Sequence, residues 1–225
     1  MSIPVIVVVA AHPDDEVLGC GGTIALHVER GAEVHVIFVA DGVSSRGSAT
    51  GISERQDAAL EVSKILGYVE PTFLQLLDNQ LDTLPLLEIV QKLETIFRRI
   101  RPTIVYTHHG SDLNIDHQLV HSAVLTACRP IPDQSVHTIY SYEVVSSTEW
   151  SSPEQGVQFR PVRYVDISSC VEKKLQALHC YSDEMRLFPH PRSIEAVEAL
   201  GRLRGSEVGV EFAEAFGLIR QIEKT

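Results

Sequence analysis

The sequence predicts an α/β fold: a Rossmann-like three-layer sandwich built on a mostly parallel sheet. Three observations carry that prediction. Short, β-branched apolar runs alternate with stretches of helical periodicity over about the first 145 residues, the pattern of strands joined by crossover helices. The opening run IPVIVVVA (3–10) is apolar at nearly every position, as a strand buried on both faces must be. The composition, 44% hydrophobic and 22% charged over 225 residues, is that of a chain with a sizeable core.

Element by element, 3–10 is the first strand, and Gly21, Gly22 and Thr23 lead into a helix that ends near Gly31, a residue suited to a C-cap. EVHVIFVA (33–40) is the second strand, and DGVSSRGSATGIS a polar, glycine- and serine-rich loop. Ser53 is placed to cap a helix running to Gly67. PTFLQL is a third strand, LPLLEIVQKLETIFRRI a helix ending before Arg101-Pro102, and TIVYTH (103–108) a fourth strand. A helix from about Asp116 to Ala127 and a strand at HTIYSYEVV follow. VRYVDI reads as a further strand, with helices at about 168–180, 193–204 and 207–219. There are no repeats and no linker long enough to divide the chain, so 1–225 reads as a single domain, its core at about 1–145 and a C-terminal strand and helices over 160–220 packed on it.

A formal net charge of −11 argues against binding duplex nucleic acid, which needs a basic face to displace counterions, and against docking on anionic membranes. The longest apolar run, 3–11, is far short of the roughly 20 residues of a membrane span and has no basic leader, so no span and no signal peptide are expected. The four cysteines, Cys20, Cys128, Cys170 and Cys180, lack CxxC spacing and read as the reduced thiols of a cytoplasmic protein. Cys20 lies near the acidic stretch, but glycines flank it and no basic neighbour is at hand to activate it as a nucleophile.

The informative stretch is AAHPDDEVLGCGG (10–22), where an apolar strand ends in a histidine, a proline and three consecutive acids. Like charges crowded at a strand end are a poor way to stabilise a fold and call for a positive partner. A second polar cluster, THHGSDLNIDHQLVH (107–121), follows the fourth strand. In doubly wound sheets ligands bind beyond the carboxyl ends of the strands, and in the usual order 3-2-1-4 strands one and four are neighbours. The two clusters should therefore meet at one crevice.

A hydrolytic zinc site takes three protein ligands and leaves a position for water. His12 and Asp15 can supply two from one turn and His117 the third; two nitrogens and one oxygen suit Zn2+, with Fe2+ or Co2+ as alternatives. Asp14 is then left beside the activated water as a general base. Competing readings are weaker. GCGGT resembles part of a phosphate-binding glycine turn, but G-x-G-x-x-G fails at Ile24 and an acidic strand end repels pyrophosphate. Paired Asp14 and Asp15 could hold Mg2+, yet the histidines favour a softer metal. Glu16 suits a supporting role, as a helix-dipole partner or bonded to nearby main chain.

AHPDDEVLGCGGT resembles the signature of the PIG-L/LmbE-like zinc-dependent de-N-acetylases, and NIDHQLVH resembles that family's downstream H-P-D-H motif. The DG after strand two, the ER before helix two and RGSEVGVEFAEAF extend the likeness over nearly the whole chain. The resemblance implies a deacetylase domain acting on N-acetylglucosamine-type sugars or their derivatives, releasing acetate. It implies His12, Asp15 and His117 as metal ligands and Asp14 as base, in agreement with the reading above. It also allows a homo-oligomer, since related proteins often associate.

One position departs from the family. A histidine three residues before the third ligand, which steadies the oxyanion, is here Asn114; its amide can donate a hydrogen bond but cannot deliver a proton. Proton transfer then rests on Asp14, with His109, His121 and His190 as the other candidates. On the substrate side, Asp41 with Gly42 should face the crevice, Arg55 resembles a family arginine that contacts substrate, and SDEMRLFPHPRS (182–193), with Phe188, His190 and Arg192, should wall the pocket. Loop 41–52 is a candidate lid. The expected partner is a small N-acetylated sugar. Two alternatives stand beside deacetylation: the same site cleaving another amide, such as a sugar-thiol conjugate, or a metal-binding protein without turnover.

Overall fold

The computed structural model describes residues 3–46, 51–154 and 156–223. Seven strands form one sheet in the order β3-β2-β1-β4-β5-β7-β6. They are β1 (Val5–Ala10), β2 (Glu33–Ala40), β3 (Thr72–Leu76), β4 (Ile104–His108), β5 (Thr138–Tyr142), β6 (Arg163–Asp166) and β7 (Ala213–Gln221). The first five pair parallel, and β7 runs antiparallel to both β5 and β6. The predicted adjacency of strands one and four is observed, with Val8 of β1 in register with Tyr106 of β4.

The helices are α1 (Asp15–Glu29), α2 (Gly51–Leu66), α3 (Leu86–Ile100), α4 (Ile115–Ala127), α5 (Val171–Cys180) and α6 (Ile194–Ser206). The uniformly apolar sequence of β1 has a direct structural reason. Its side chains alternate between faces, so Ile6, Val8 and Ala10 enter one core with Val17, Ile24 and Val62, while Val7, Val9 and Ala11 enter the other with Ile89, Leu93 and Val124. Helices α1, α2, α5 and α6 cover the first face and α3 with α4 the second. No helix among the described residues is long and apolar enough to cross a membrane.

Three local expectations are corrected. Helix α1 begins at Asp15, not after Gly21, so Gly19, Gly21 and Gly22 lie inside it. Glycine is among the weakest helix formers, but close packing overrides propensity here: a Cβ on Gly19 would sit 2.3 Å from the Tyr142 ring, and one on Gly22 2.8 Å from Ile167. Gly19 thus lets α1 lie against Tyr142 of β5 and Gly22 lets it lie against Ile167 just after β6, and the phosphate-turn reading of GCGGT falls away. Gly19→Ala is therefore expected to destabilise by about 1–3 kcal/mol, as overpacking does, despite alanine's better helix propensity; chemical denaturation measures it. Ser53 lies within α2, which already includes Gly51, and does not cap it.

The third correction concerns 207–219, read as a helix. Residues 213–221 are strand β7, inserted between β5 and β6. The stretch FAEAF is rich in helix formers, but Ala213, Ala215 and Phe216 are buried and Glu214 turns inward. There Glu214 accepts the backbone N–H groups of Gly22 (2.9 Å) and Thr23 (2.7 Å), and the Lys174 ammonium at 2.6 Å. Lys174 also donates to the Leu18 carbonyl at 2.9 Å. A buried ion pair from α5 and β7 thereby clasps the middle of α1.

Candidate metal centre and active site

The crevice lies beyond the carboxyl ends of β1 and β4. Strand β1 runs through Ala11 into His12 and Pro13, and Asp14 then takes φ 139°, ψ −31° to turn the chain directly into α1. That φ is unfavourable for a residue with a Cβ and marks stored strain at this point. From the neighbouring strand, the loop after His108 delivers DLNID (112–116) to the start of α4.

His12, Asp15 and His117 come together as predicted, with one candidate ligand atom from each lying within 4.8 Å of the others. Asp15 Oδ2 is 3.4 Å from His12 Nδ1 and 3.3 Å from His117 Nε2. All three residues are buried. The far nitrogen of each imidazole faces its own carboxylate. His12 Nε2 is 3.0 Å from Asp116 Oδ2 and 3.1 Å from Asp78 Oδ1, and His117 Nδ1 is 3.1 Å from Asp112 Oδ1. Those carboxylates are themselves fixed. Asp116 accepts the N–H groups of Asn79 and Leu81, and Asp112 accepts Ser147 and Thr148 hydroxyls and the Asn114 N–H. Carboxylates behind metal-ligating histidines set ring orientation and raise basicity.

The donor set fits a divalent cation. Asp15 Oδ1 and both His117 ring nitrogens are buried without an aligned hydrogen-bond partner among the described residues. Leaving such groups unsatisfied is costly, and a cation would engage them. The electrostatics agree. Burial works against a charged His117, yet Asp15 and Asp112 raise its pKa to about 9. Burial likewise opposes an ionised Asp15, but the charge of the neighbouring His117 holds it well below the usual carboxylate range. The pocket is thus arranged around a positive charge. The second grouping, His12 with Asp78 and Asp116, supports the first: its carboxylates are engaged by Ser45, Asn79 and Leu81. Asp112→Ala is expected to weaken metal binding 10–100-fold, as loss of such a supporting carboxylate does, read by competition with a chromogenic chelator.

Asp14 lies beside the triad and is buried. Its Oδ2 accepts Arg192 Nη1 at 2.7 Å, while Oδ1 is buried with no hydrogen-bond donor among the described residues. Burial pushes its pKa up to about 6; Arg192 opposes the shift and Asp15 adds to it. Glu16 bonds to main chain as expected, accepting the Asp14 N–H at 3.0 Å and the Tyr181 hydroxyl at 2.7 Å. Burial drives its pKa up to about 8 against those donors.

Asn114 caps α4, its side-chain oxygen accepting the Asp116 N–H at 2.8 Å. Asp41 closes a turn by accepting the N–H groups of Val43 and Ser44. Arg55 is buried, donating to the Pro13 carbonyl at 2.9 Å and pairing with Glu184. The His190 ring accepts the Arg192 N–H and meets Trp150 edge-on. His109 donates to the Val157 carbonyl and His121 to that of His108. Cys20 is buried in the core, its thiol pushed well up by burial. Of the candidate lid, residues 47–50 lie outside the described residues.

Several residues carry no clear signal of their own. Asp78 and Glu184 act through partners distant in sequence, Arg192 reads in the sequence only as pocket wall, and Asp112 sits within the second cluster, five residues before His117. His108 is another: its Nε2 accepts the Ala11 N–H at 2.8 Å, and its ring stacks on His117 at 3.9 Å. Burial holds it neutral, well below the ordinary histidine range, reinforced by the His117 charge.

A mostly parallel α/β sheet with a buried His–Asp–His cluster and a buried acid at its strand ends defines a class, the Rossmann-like folds with a candidate metal centre at the sheet's carboxyl edge. Within that class the chain belongs to the PIG-L family: residues 7–128 match the family described as GlcNAc-PI de-N-acetylase. It is 32% identical over 147 residues to the uncharacterized deacetylase YaiS of Escherichia coli, covering 63% of this chain and 75% of that one. It is 29% identical over 204 residues to the 4-oxalmesaconate hydratase of Pseudomonas putida, covering 81% and 75%. Among solved structures, the conserved protein TT1542 of Thermus thermophilus aligns with a TM-score of 0.79 at 27% identity, covering 98% of this chain and 96% of that one.

Proposed function

We propose that this chain is a zinc-dependent hydrolase removing the N-acetyl group from an N-acetylglucosamine-type sugar or derivative. One observation carries the reading: a buried carboxylate with a free oxygen, Asp14, stands beside three buried groups suited to a cation. The family match supports the amide as substrate. His12, Asp15 and His117 would hold the ion; when bound, it supplies Lewis acidity toward a water and the acyl oxygen. Fe2+ or Co2+ suits the same donors.

Asp14 takes a proton as the water oxygen bonds to the acetyl carbon. As the C–N bond breaks, it passes that proton to the departing nitrogen, leaving acetate and a free amine. Asn114, the residue before α4 in the second cluster, would donate from its amide N–H2 toward the acyl oxygen while its side-chain oxygen caps the helix. Arg55, Asp41 and His190 would contact the substrate, with Arg55 held by the Pro13 carbonyl and Glu184.

A second reading has its own support: the relative that covers 81% of this chain is named a hydratase, and water addition to an unsaturated acid can use the same cation and base. An acetate-release screen over N-acetylated sugars separates the two when run beside a spectroscopic assay of hydration of 4-oxalmesaconate, together with elemental analysis of the purified protein. Acetate release with stoichiometric zinc supports the first reading; loss of the conjugated chromophore without acetate release overturns it in favour of the second.

A further inference from the structure

The structure gives the two oxygens of Asp14 different environments. Oδ2 accepts Arg192 Nη1 at 2.7 Å, with Arg55 Nη1 3.9 Å away. Oδ1 is equally buried and meets no donor among the described residues. Arg192 is itself tied down. Its Nε donates to Ser146 Oγ at 2.8 Å, its N–H donates to His190 Nδ1 at 3.0 Å, and its carbonyl accepts the Arg186 N–H at 3.1 Å, which closes the loop at its base. Glu184 links it onward, with Oε2 3.4 Å from Arg192 and Oε1 paired with Arg55, which in turn donates to the Pro13 carbonyl. This chain of contacts begins and ends on the two residues that turn β1 into α1.

We propose that Arg192 is a positioning residue that holds Oδ2 of Asp14 and so assigns Oδ1 as the oxygen that takes and returns the proton. The inference rests on the hydrolytic reading of Asp14. The terminal torsion of an aspartate is broad and roughly two-fold, so an unheld carboxylate exchanges its oxygens and spends time out of line with the water. A held one presents a single atom. Arg55 does not do this, because its hydrogen bonds go to Pro13 and Glu184. The interaction also accounts for the SDEMRLFPHPRS segment: His190 orders the loop, and Arg192 is the residue that reaches the site.

The test uses full-length protein with acetate release from N-acetylglucosamine. Arg192→Ala should lower kcat about 100-fold, the scale of loss from misplacing a reacting group, with KM changed less than about twofold, since no ground-state contact is removed. Arg192→Lys should recover part of the loss, and added guanidinium should partly rescue Arg192→Ala. In an Asp14→Asn background, Arg192→Ala should cost little more, because both residues act on one step. A KM effect alone, or full additivity of the two losses, overturns the proposal.

An activity-free cycle separates this outcome from failure of the functional reading. Arg192→Ala should lower the melting temperature clearly more in the wild-type background than in Asp14→Ala. An equal fall in both overturns the positioning role. Should wild-type protein release no acetate from any sugar, the deacetylase reading fails, and this thermal cycle alone decides whether Arg192 holds Asp14.

Discussion

Asp14→Asn lowers kcat about 10²- to 10⁴-fold, the range supplied by a positioned general base, and leaves the metal content unchanged. The amide has the shape of the carboxylate, and its oxygen can still accept Arg192, so the ring of contacts through Glu184 and Arg55 survives. It cannot take a proton. None of the atoms proposed to hold the cation belongs to Asp14, which is why loading should be untouched. Turnover is read by acetate release, and metal by inductively coupled plasma mass spectrometry on the same sample. Turnover within tenfold of wild type removes Asp14 from the mechanism. Loss of the metal instead moves it into the ligand set.

The second large effect lies away from the site. Glu214→Ala should destabilise the fold by about 3–5 kcal/mol, the cost of stranding one member of a buried ion pair. Lys174 would be left in the core with only the Leu18 carbonyl as partner, and two N–H groups of α1 would lose the Glu214 carboxylate. For a chain of this length that corresponds to a fall in melting temperature of about 10 °C, measurable by calorimetry. The double variant Glu214→Leu with Lys174→Met should recover much of the loss, because apolar pairs of similar volume often replace buried ion pairs without cost. A Glu214→Ala change under about 1 kcal/mol, within the range of ordinary surface substitutions, would show that the pair is solvated and the clasp on α1 unimportant.

What the sequence made legible follows from how local each signal is. The β1 run and the AHPDDE and NIDH stretches carry their chemistry within a few residues, and parallel topology alone was enough to bring them to one crevice. Propensity misled at two places where tertiary packing dominates. Three glycines within four residues read as a turn, but the Tyr142 ring and Ile167 leave no room for side chains there, so they sit inside α1. FAEAF reads as helix, but Glu214 is an inward-facing strand residue whose partner, Lys174, is 40 positions away. Distance in sequence also hid Asp78's hold on His12 and Arg192's on Asp14, whereas Asp112 lies five residues before His117 and only the fold shows which way it faces. Each is an ordinary surface-type residue until the fold supplies its partner.

The left-handed backbone at Asp14 has an evolutionary corollary. A single residue in so sparsely populated a conformation holds about 1–3 kcal/mol that glycine would release. Selection for heat resistance alone would thus favour glycine at this codon. On the proposed role of Asp14, aspartate is expected to persist there only in homologues kept under selection for turnover.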